Sequence, residues 1–120
     1  MQGYTYTKGE HYPVEHLVFK TAPEDVQRYL DVDHEIWTLK EAFSPIFDHI
    51  PFLYKEVWVN DNKPGEIHMI FVWESIESWR KVDDKEYQAK LIKEFDEKFG
   101  RPYELIRVVQ NEENFGVQPF

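Results

Sequence analysis

The chain has 120 residues, 23 of them acidic and 14 basic, which gives a formal net charge of −9. This length fits one domain, and the negative charge disfavours nucleic-acid partners and anionic membrane surfaces, both of which attract clusters of Lys and Arg. Because the chain has no cysteine, it has no disulfide, no thiolate chemistry and no zinc site built on Cys.

Residues 1–13 hold Gly, Tyr and Thr in no clear period and predict a loosely attached arm. They lack the apolar core of a signal peptide, and no apolar run approaches membrane-spanning length, so we expect no membrane association and a cytoplasmic location.

The first strand is predicted at residues 14–20, where side chains alternate between two faces. Glu15 shares a face with Leu17 and Phe19, and His16 lies on the other face. Since Leu17 and Phe19 bury more area than the opposite set, we assign their face to the helices. Glu15 is therefore expected beneath the helices.

The first helix is predicted to start after residues 21–24, which resemble a capping box with proline in the first turn, and to end near Ser44. Its apolar stripe consists of Val26, Tyr29, Leu30, Ile36, Trp37 and Phe43. Asp33 interrupts this stripe, so a carboxylate lies where a core residue is expected. Asp33 is alternatively a cap for a helix that restarts after Leu30, or a hydrated residue at the edge of the stripe.

The middle of the chain predicts a β-hairpin. Residues 54–59 alternate between charged and β-branched or aromatic types, and residues 60–65 are typical of a tight turn. Residues 67–73 are almost wholly apolar, which indicates a central strand covered on both faces. The helices of one chain cover only one of those faces.

The second helical region is predicted to begin with Ser75 as its N-cap, and Asp83-Asp84 is predicted to cap a longer segment that ends at Gly100. Its buried side is formed by Tyr87, Leu91, Phe95 and Phe99. The last strand is predicted at residues 103–109. The domain is thus expected over residues 14–110, followed by a tail at residues 111–120.

The element order β-α-β-β-α-β predicts an α+β fold of the ferredoxin-like type, with a four-stranded antiparallel sheet and two helices on one face. The other face carries Ile70 and Val72 and is expected to be apolar. Two such sheets packed face to face would form a dimeric α/β barrel. We therefore expect the partner of this chain to be a second copy of itself, in a homodimer.

With this element order and open apolar face, the sequence resembles the dimeric α/β-barrel superfamily, which includes antibiotic-biosynthesis monooxygenases, haem-degrading monooxygenases and stress-responsive barrel proteins. Three segments are more closely similar to an uncharacterised family of small monooxygenase-like proteins seen mainly in photosynthetic bacteria. The segments are EIWT at 35–38, KEVW at 55–58 and the stretch from Trp73 to Trp79, and the resemblance covers roughly residues 14–110. The resemblance implies the fold; its implication of monooxygenase-like activity is weaker, because one fold hosts many functions.

The resemblance also bears on two individual residues, Trp79 and His16. Trp79 is similar to a Trp of the haem-degrading relatives, but the Asn and His that accompany it there are missing, so haem degradation is not expected. His16 fits a first-strand His that recurs in the stress-responsive group, although our face assignment directs it away from the helices.

Candidate catalytic residues follow from the chemistry of oxygenation without metal or flavin, which needs a base to form a substrate carbanion and an apolar pocket that excludes water. Glu15 and Asp33 are candidate bases, since a poorly solvated carboxylate has a raised pKa. His34 is an alternative, because imidazole titrates near neutrality. No cofactor is expected.

Trp37, Trp73 and Trp79 are candidate substrate-binding residues between the sheet and the helices, together with His16 from the family pattern. The tryptophans are equally explained as core or interface anchors, and His16 and His68 as packed interface residues. Glu15 is alternatively an ion-pair partner of a basic residue on the sheet, with Lys20, Lys55 and Arg107 as the options.

No metal site is predicted, because the five histidines at positions 11, 16, 34, 49 and 68 include no pair at metal-binding spacing. Two functions remain. The first is a cofactor-independent, monooxygenase-like oxidoreductase that acts on an aromatic or polyketide-like compound and has a cavity at Glu15, Asp33 and Trp37. The second is a non-catalytic dimer that binds a small hydrophobic ligand or has a structural or stress-response role.

Overall fold

The computed structural model describes residues 5–109 and 115–118. In chain order, the elements are β1 (Tyr12–Thr21), a 3-10 turn (Pro23–Asp25), α1 (Val26–Asp33), a π-helical turn (His34–Thr38), α2 (Leu39–Ala42), β2 (Phe52–Val59), β3 (Glu66–Trp73), α3 (Ile76–Val82), α4 (Lys85–Phe99), β4 (Tyr103–Val108) and β5 (Gly116–Val117). The predicted succession of strands and helices is confirmed, with both helical regions divided into shorter segments.

The strands form an antiparallel sheet in the order β2-β3-β1-β4, and β5 pairs with the start of β1. β3 has neighbours on both edges, and six of its eight residues are buried. This explains its almost unbroken apolar sequence, because a strand covered on both faces has no side that favours polar residues. The α+β fold of ferredoxin-like type is thus as predicted.

The main core lies between the sheet and the helices. It combines Tyr29 from α1 and Phe95 from α4 with Met69 from β3, each of them at most 1% exposed. Leu17 and Phe19 contact this cluster from β1, which confirms the face assigned to the helices. Burial of each such side chain contributes roughly 1.5–3 kcal/mol, so this layer is the main stabilising element of one chain.

The start of the first helical region differs from the prediction. Thr21 does not cap it: its Oγ1 donates to the Pro102 carbonyl oxygen at 3.0 Å, because Thr21 is the last residue of β1 and lies beside the start of β4. The region begins as a 3-10 turn without a side-chain cap and ends at Ala42, short of Ser44.

The caps predicted for the second region are confirmed. Ser75 Oγ accepts from Ser78 N at 3.0 Å, and Asp84 Oδ1 accepts from Tyr87 N at 3.0 Å. Gly100 closes α4 in the left-handed conformation, with φ +63°.

The ends of the chain are described in part. β1 begins at Tyr12, so the last two residues of the predicted arm lie in the sheet, where Tyr12 pairs with Val117. Residues 1–4 of the arm and residues 111–114 and 119–120 of the predicted tail lie outside the described residues. Within residues 5–109 and 115–118, no helix combines the length and hydropathy needed to cross a membrane.

The sheet face that points away from the helices is apolar at its centre, as predicted for Ile70 and Val72. Those two residues and Val18 are already at most 7% exposed within one chain, so the centre of this face is less open than the sequence suggested. Its rim is more accessible, since Tyr54 and Trp58 on β2 are 45% and 49% exposed.

Candidate functional site

A cavity of about 410 Å³ lies between the sheet and the helices. Its lining includes five of the residues singled out from the sequence, namely Glu15, Asp33, Trp37, Trp73 and Trp79. These residues come from β1, α1, the π-helical turn, β3 and α3. The volume falls within the usual range for pockets that hold small molecules.

One wall of the cavity is a series of parallel aromatic rings. Phe71 and Trp73 are two residues apart on β3 and stack at 5.2 Å between ring centroids, with 10° between their planes. Trp79, from α3, lies parallel to Trp73 at 6.0 Å. The stacked rings give this side of the cavity an apolar, aromatic lining.

Asp33 neither caps a helix nor lies in water, so both alternative interpretations of this residue are wrong. Its side chain is 5% exposed, and Oδ2 accepts from Lys55 Nζ on β2 at 2.5 Å. Burial raises the pKa of Asp33, and the Lys55 ammonium opposes that increase. Lys55, which the sequence analysis considered as a partner for Glu15, is the buried partner that fixes the Asp33 carboxylate.

The π-helical turn contributes to the same arrangement. It follows Asp33 directly, and Thr38 at its end accepts from Lys55 Nζ through Oγ1 at 2.7 Å. The ammonium also lies 5.0 Å from the centroid of the Phe71 ring. Lys55 is thus held by a carboxylate, a hydroxyl and an aromatic ring, which together replace its lost hydration.

Glu41 is a cavity residue that the sequence analysis missed. It belongs to α2, is 5% exposed, and accepts from Gln88 Nε2 at 3.3 Å. Burial raises the pKa of Glu41 to about 7, because the Gln88 amide stabilises the carboxylate less than water would. The four-residue spacing of Asp33, Trp37 and Glu41 is the signal that could have found it, since such residues share one side of a helix.

Glu15 lies on the opposite wall, on the sheet. It is 9% exposed and pairs in register with Phe71. Three buried carboxylates therefore line the cavity: Glu15 from the sheet, and Asp33 and Glu41 from the first helical region. The fourth carboxylate of the lining, Asp83, is exposed.

The two candidate histidines do not join this group. His34 is solvent-exposed at the start of the π-helical turn and does not line the cavity. His16 points to the other side of the sheet, where its Nε2 lies 2.8 Å from His68 Nδ1 and its ring contacts Trp58. Burial, followed by the neighbouring His68, lowers the pKa of His16. The structure thus separates both histidines from the carboxylates.

The side chains that commonly bind metals are scattered over the fold. Within the described part of the chain, no group of three or more His, Cys, Asp or Glu side chains is arranged to hold a metal ion.

Comparisons with known proteins concern the fold. No family model matches this chain, and no curated protein matches it. A candidate antibiotic biosynthesis monooxygenase from Bacteroides thetaiotaomicron VPI-5482 is 12% identical with a TM-score of 0.54, over 92% of this chain and 90% of that one. A candidate antibiotic biosynthesis monooxygenase from Caulobacter crescentus CB15 is 9% identical with a TM-score of 0.54, over 79% and 86%.

A conserved protein from Methanosarcina mazei Go1 is 15% identical with a TM-score of 0.52, over 82% of this chain and 90% of that one. These matches concern the fold. They do not show the chemistry of the cavity, because one fold hosts many functions. The chain has the ferredoxin-like fold of antibiotic biosynthesis monooxygenase-like proteins.

Proposed function

We propose that this protein is a cytoplasmic, cofactor-independent monooxygenase that acts on a flat aromatic or polyketide-like compound. The observation that supports the proposal is the cavity of about 410 Å³, in which three buried carboxylates face an aromatic wall. A flat substrate would lie against Phe71, Trp73 and Trp79, and the carboxylates would act on its polar edge.

Glu41 is the best candidate for the base. A general base works best when its pKa lies near the working pH, and burial gives Glu41 a pKa of about 7. Asp33 is less available, because Lys55 already occupies one of its oxygens. It is better suited to accept a hydrogen bond from a substrate hydroxyl. Glu15 is the second candidate base, on the sheet side of the cavity.

The proposed reaction uses dioxygen as co-substrate. The base removes a proton from a CH₂ group next to the aromatic system, and the carbanion adds to O₂ to form a peroxide. The peroxide takes up a proton, and loss of water then leaves a carbonyl group. One oxygen atom enters the product and the other leaves as water, while the substrate supplies the electrons.

The alternative is a binding protein without turnover. The Asp33–Lys55 pair is the observation that favours this alternative, since a structural ion pair also requires that both buried charges are paired. Both functions use the same cavity, so they differ in whether oxygen is consumed.

We also propose that the protein is a homodimer in which the sheet faces that point away from the helices pack together. The half-exposed Tyr54 and Trp58 rings at the rim of this face support it, because large exposed aromatics are enriched at protein interfaces. The shielded centre of the face would then be surrounded by an aromatic contact zone.

The test is oxygen uptake with anthrone, a flat tricyclic ketone with an acidic CH₂ group. We expect one O₂ consumed per anthraquinone formed, at a rate that increases as Glu41 ionises near pH 7. Glu41→Gln should lower the rate at least about 100-fold, as is typical when a general base is lost. The control Glu97→Gln, at an exposed position on α4 outside the cavity lining, should retain the wild-type rate. Binding of anthrone without oxygen uptake above the uncatalysed rate would favour the binding protein instead.

A further inference from the structure

The side-chain amide of Gln88 joins three helices beside the cavity. Gln88 lies in the first turn of α4 and lines the cavity. Its Nε2 donates to Glu41 Oε1 on α2 at 3.3 Å, and to the carbonyl oxygen of Val82, the last residue of α3, at 2.9 Å. Both N–H groups of the amide are therefore in use, and each meets an acceptor on a different helix.

These two acceptors fix the orientation of the amide. If the amide were rotated by half a turn, its oxygen would face the Val82 carbonyl and the Glu41 carboxylate, and acceptors would meet without a proton between them. Val82 is 1% exposed and packs with Phe71 and Trp73, so its carbonyl is firmly held. The direction of the N–H that meets Glu41 is thus set by the protein itself.

Other charged or titratable groups also surround Glu41, namely Asp33, Lys55, Asp83 and Tyr87. The Lys55 ammonium favours the ionised form of Glu41, and the two aspartates disfavour it. Lys55 Nζ is bonded to Asp33 at 2.5 Å, and the Tyr87 hydroxyl donates to the Lys40 carbonyl oxygen at 2.7 Å. The donor in direct contact with the Glu41 carboxylate is the Gln88 amide.

We propose that Gln88 is a positioning residue for the proposed base: its amide stabilises the ionised form of Glu41 and occupies Oε1, so that Oε2 acts on the bound compound. A hydrogen bond to a buried carboxylate favours the charged form, because it replaces part of the lost hydration. Removal of the donor therefore raises the pH at which Glu41 ionises, whereas a cation at the same place lowers it. Gln88 has this role only if Glu41 is the base, so the proposal rests on the proposed function.

The first experiment follows the ionisation of Glu41 by ¹³C NMR of side-chain carboxyl signals from about pH 5 to 9. Loss of a signal in Glu41→Gln identifies the signal of Glu41. Gln88→Met keeps the length of the side chain without a donor, and should move the midpoint of the Glu41 titration upward by about one pH unit. Gln88→Lys places an ammonium near the carboxylate and should move the midpoint downward by a similar amount. Opposite shifts from one position are expected of a direct contact and not of a change in packing.

The matched control is Gln27→Met. Gln27 Nε2 donates to Asp31 Oδ1 at 2.9 Å on the exposed side of α1, so this variant removes the same kind of hydrogen bond away from the cavity. It should leave the midpoint of Glu41 unchanged. A second measurement uses the wild-type protein alone. The side-chain amide signals of Gln88 in a ¹⁵N-labelled protein should change with the same midpoint as Glu41, because their hydrogen bond strengthens as Glu41 ionises.

The second experiment is the pH profile of oxygen uptake with anthrone. In Gln88→Met the rate at pH 7 should fall about fivefold and largely recover by about pH 8.5, since a base with a higher midpoint is ionised only at higher pH. A purely structural role of Gln88 would lower the rate by a similar factor at every pH. Gln27→Met should retain the wild-type profile.

The outcomes separate the role of Gln88 from the function on which it rests. If the Glu41 midpoint stays in place in Gln88→Met, or moves in the same direction in Gln88→Met and Gln88→Lys, the role of Gln88 is wrong. If the midpoints move as expected but the wild-type protein consumes no oxygen, control of Glu41 by Gln88 is supported and the monooxygenase function fails. If Gln88→Met does not fold, the wild-type titration decides, and a Gln88 amide signal that does not follow Glu41 overturns the proposal.

Discussion

Single residues show where this protein departs from a simple apolar core. Asp33 and Lys55 are both 5% exposed and contact each other beneath the first helical region. Such a pair adds little net stability, but removal of one member leaves a buried charge alone. The neighbouring Glu41 is held by the side-chain amide of Gln88. Two carboxylates on one helical region therefore have different electrostatic surroundings.

The first prediction concerns the buried pair. Asp33→Asn should lower the free energy of unfolding by about 3–5 kcal/mol, because the Lys55 ammonium loses its counter-charge in the core. Addition of Lys55→Met should recover much of the loss, since no buried charge then remains. Urea denaturation provides the measurement.

The control for this prediction is Glu94→Gln, which breaks an exposed pair with Lys40 and should cost below about 1 kcal/mol. If Asp33→Asn costs no more than Glu94→Gln, the pair is hydrated in solution and the electrostatic description is wrong.

The second prediction concerns the pH dependence of stability. The pKa of Glu41 is about 7 in the folded protein against an ordinary value of 4.5, so the folded protein holds this proton more tightly than the unfolded chain does. The stability that the folded protein gains from holding this proton is fully present below pH 4.5 and is lost as the pH increases through 7. Between about pH 4.5 and 8 the stability of the wild-type protein relative to Glu41→Gln should fall by about 1–3 kcal/mol.

The measurement is a series of urea titrations across this pH range. Glu97→Gln, at an exposed position on α4, should show no comparable trend relative to the wild-type protein. If the difference in the free energy of unfolding between the wild-type protein and Glu41→Gln does not change with pH, Glu41 is hydrated in solution. That result would remove the main support for Glu41 as the base.

Among the elements, the hairpin turn between β2 and β3 is docked against the end of β1. Thr21 N donates to the Gly65 carbonyl oxygen at 2.9 Å, and Gly65 has φ +92°. A Cβ at this position would lie 2.1 Å from the Thr21 carbonyl oxygen. The turn therefore requires glycine both for its dihedral angles and for the close approach of two backbones.

The third prediction follows from this contact. Gly65→Ala should lower the free energy of unfolding by about 3 kcal/mol, because the left-handed conformation is strained and the backbones must separate. Gly9→Ala is a matched control, since Gly9 has φ +86° but no atom within 4 Å of the place where its Cβ would lie. It should cost only about 1 kcal/mol. Equal losses in thermal or urea unfolding would show that the contact with Thr21 is unimportant.

In the molecule as a whole, the two sides of the sheet have different roles. The helix side holds the core and the cavity, and the other side has a shielded aliphatic centre with a half-exposed aromatic rim. The proposed dimer would cover that rim and leave the cavity of each chain on the outer side of the sheet pair. A substitution on the face away from the helices should then change assembly without changing the cavity.

The fourth prediction tests this separation. Tyr54→Glu places a charge in the proposed interface and should weaken the dimer at least about 10-fold, because a buried unpaired carboxylate is strongly disfavoured. Leu39→Glu, an exposed position on α2, should have no effect. Native mass spectrometry at micromolar concentration gives the measurement. A wild-type protein that is monomeric in this range would refute the dimer.

Local sequence patterns were sufficient to predict the element order, the central position of β3, the side of the sheet on which Glu15, Leu17 and Phe19 lie, and the caps of α3 and α4. Each of these follows from periodicity or from one side chain and its own backbone, so residues near in sequence carry the information. The resemblance to a known family added the fold, which the similar solved structures share.

The chemistry of the cavity, in contrast, depends on contacts between distant parts of the chain. Tertiary packing pairs Asp33 with Lys55, which are 22 positions apart, and Glu41 with Gln88, which are 47 apart. It also leaves His34 exposed to solvent and outside the cavity lining. Burial and hydrogen-bond partners at such separations depend on how strands and helices pack together, and they set whether a carboxylate is a cap, a structural charge or a candidate base.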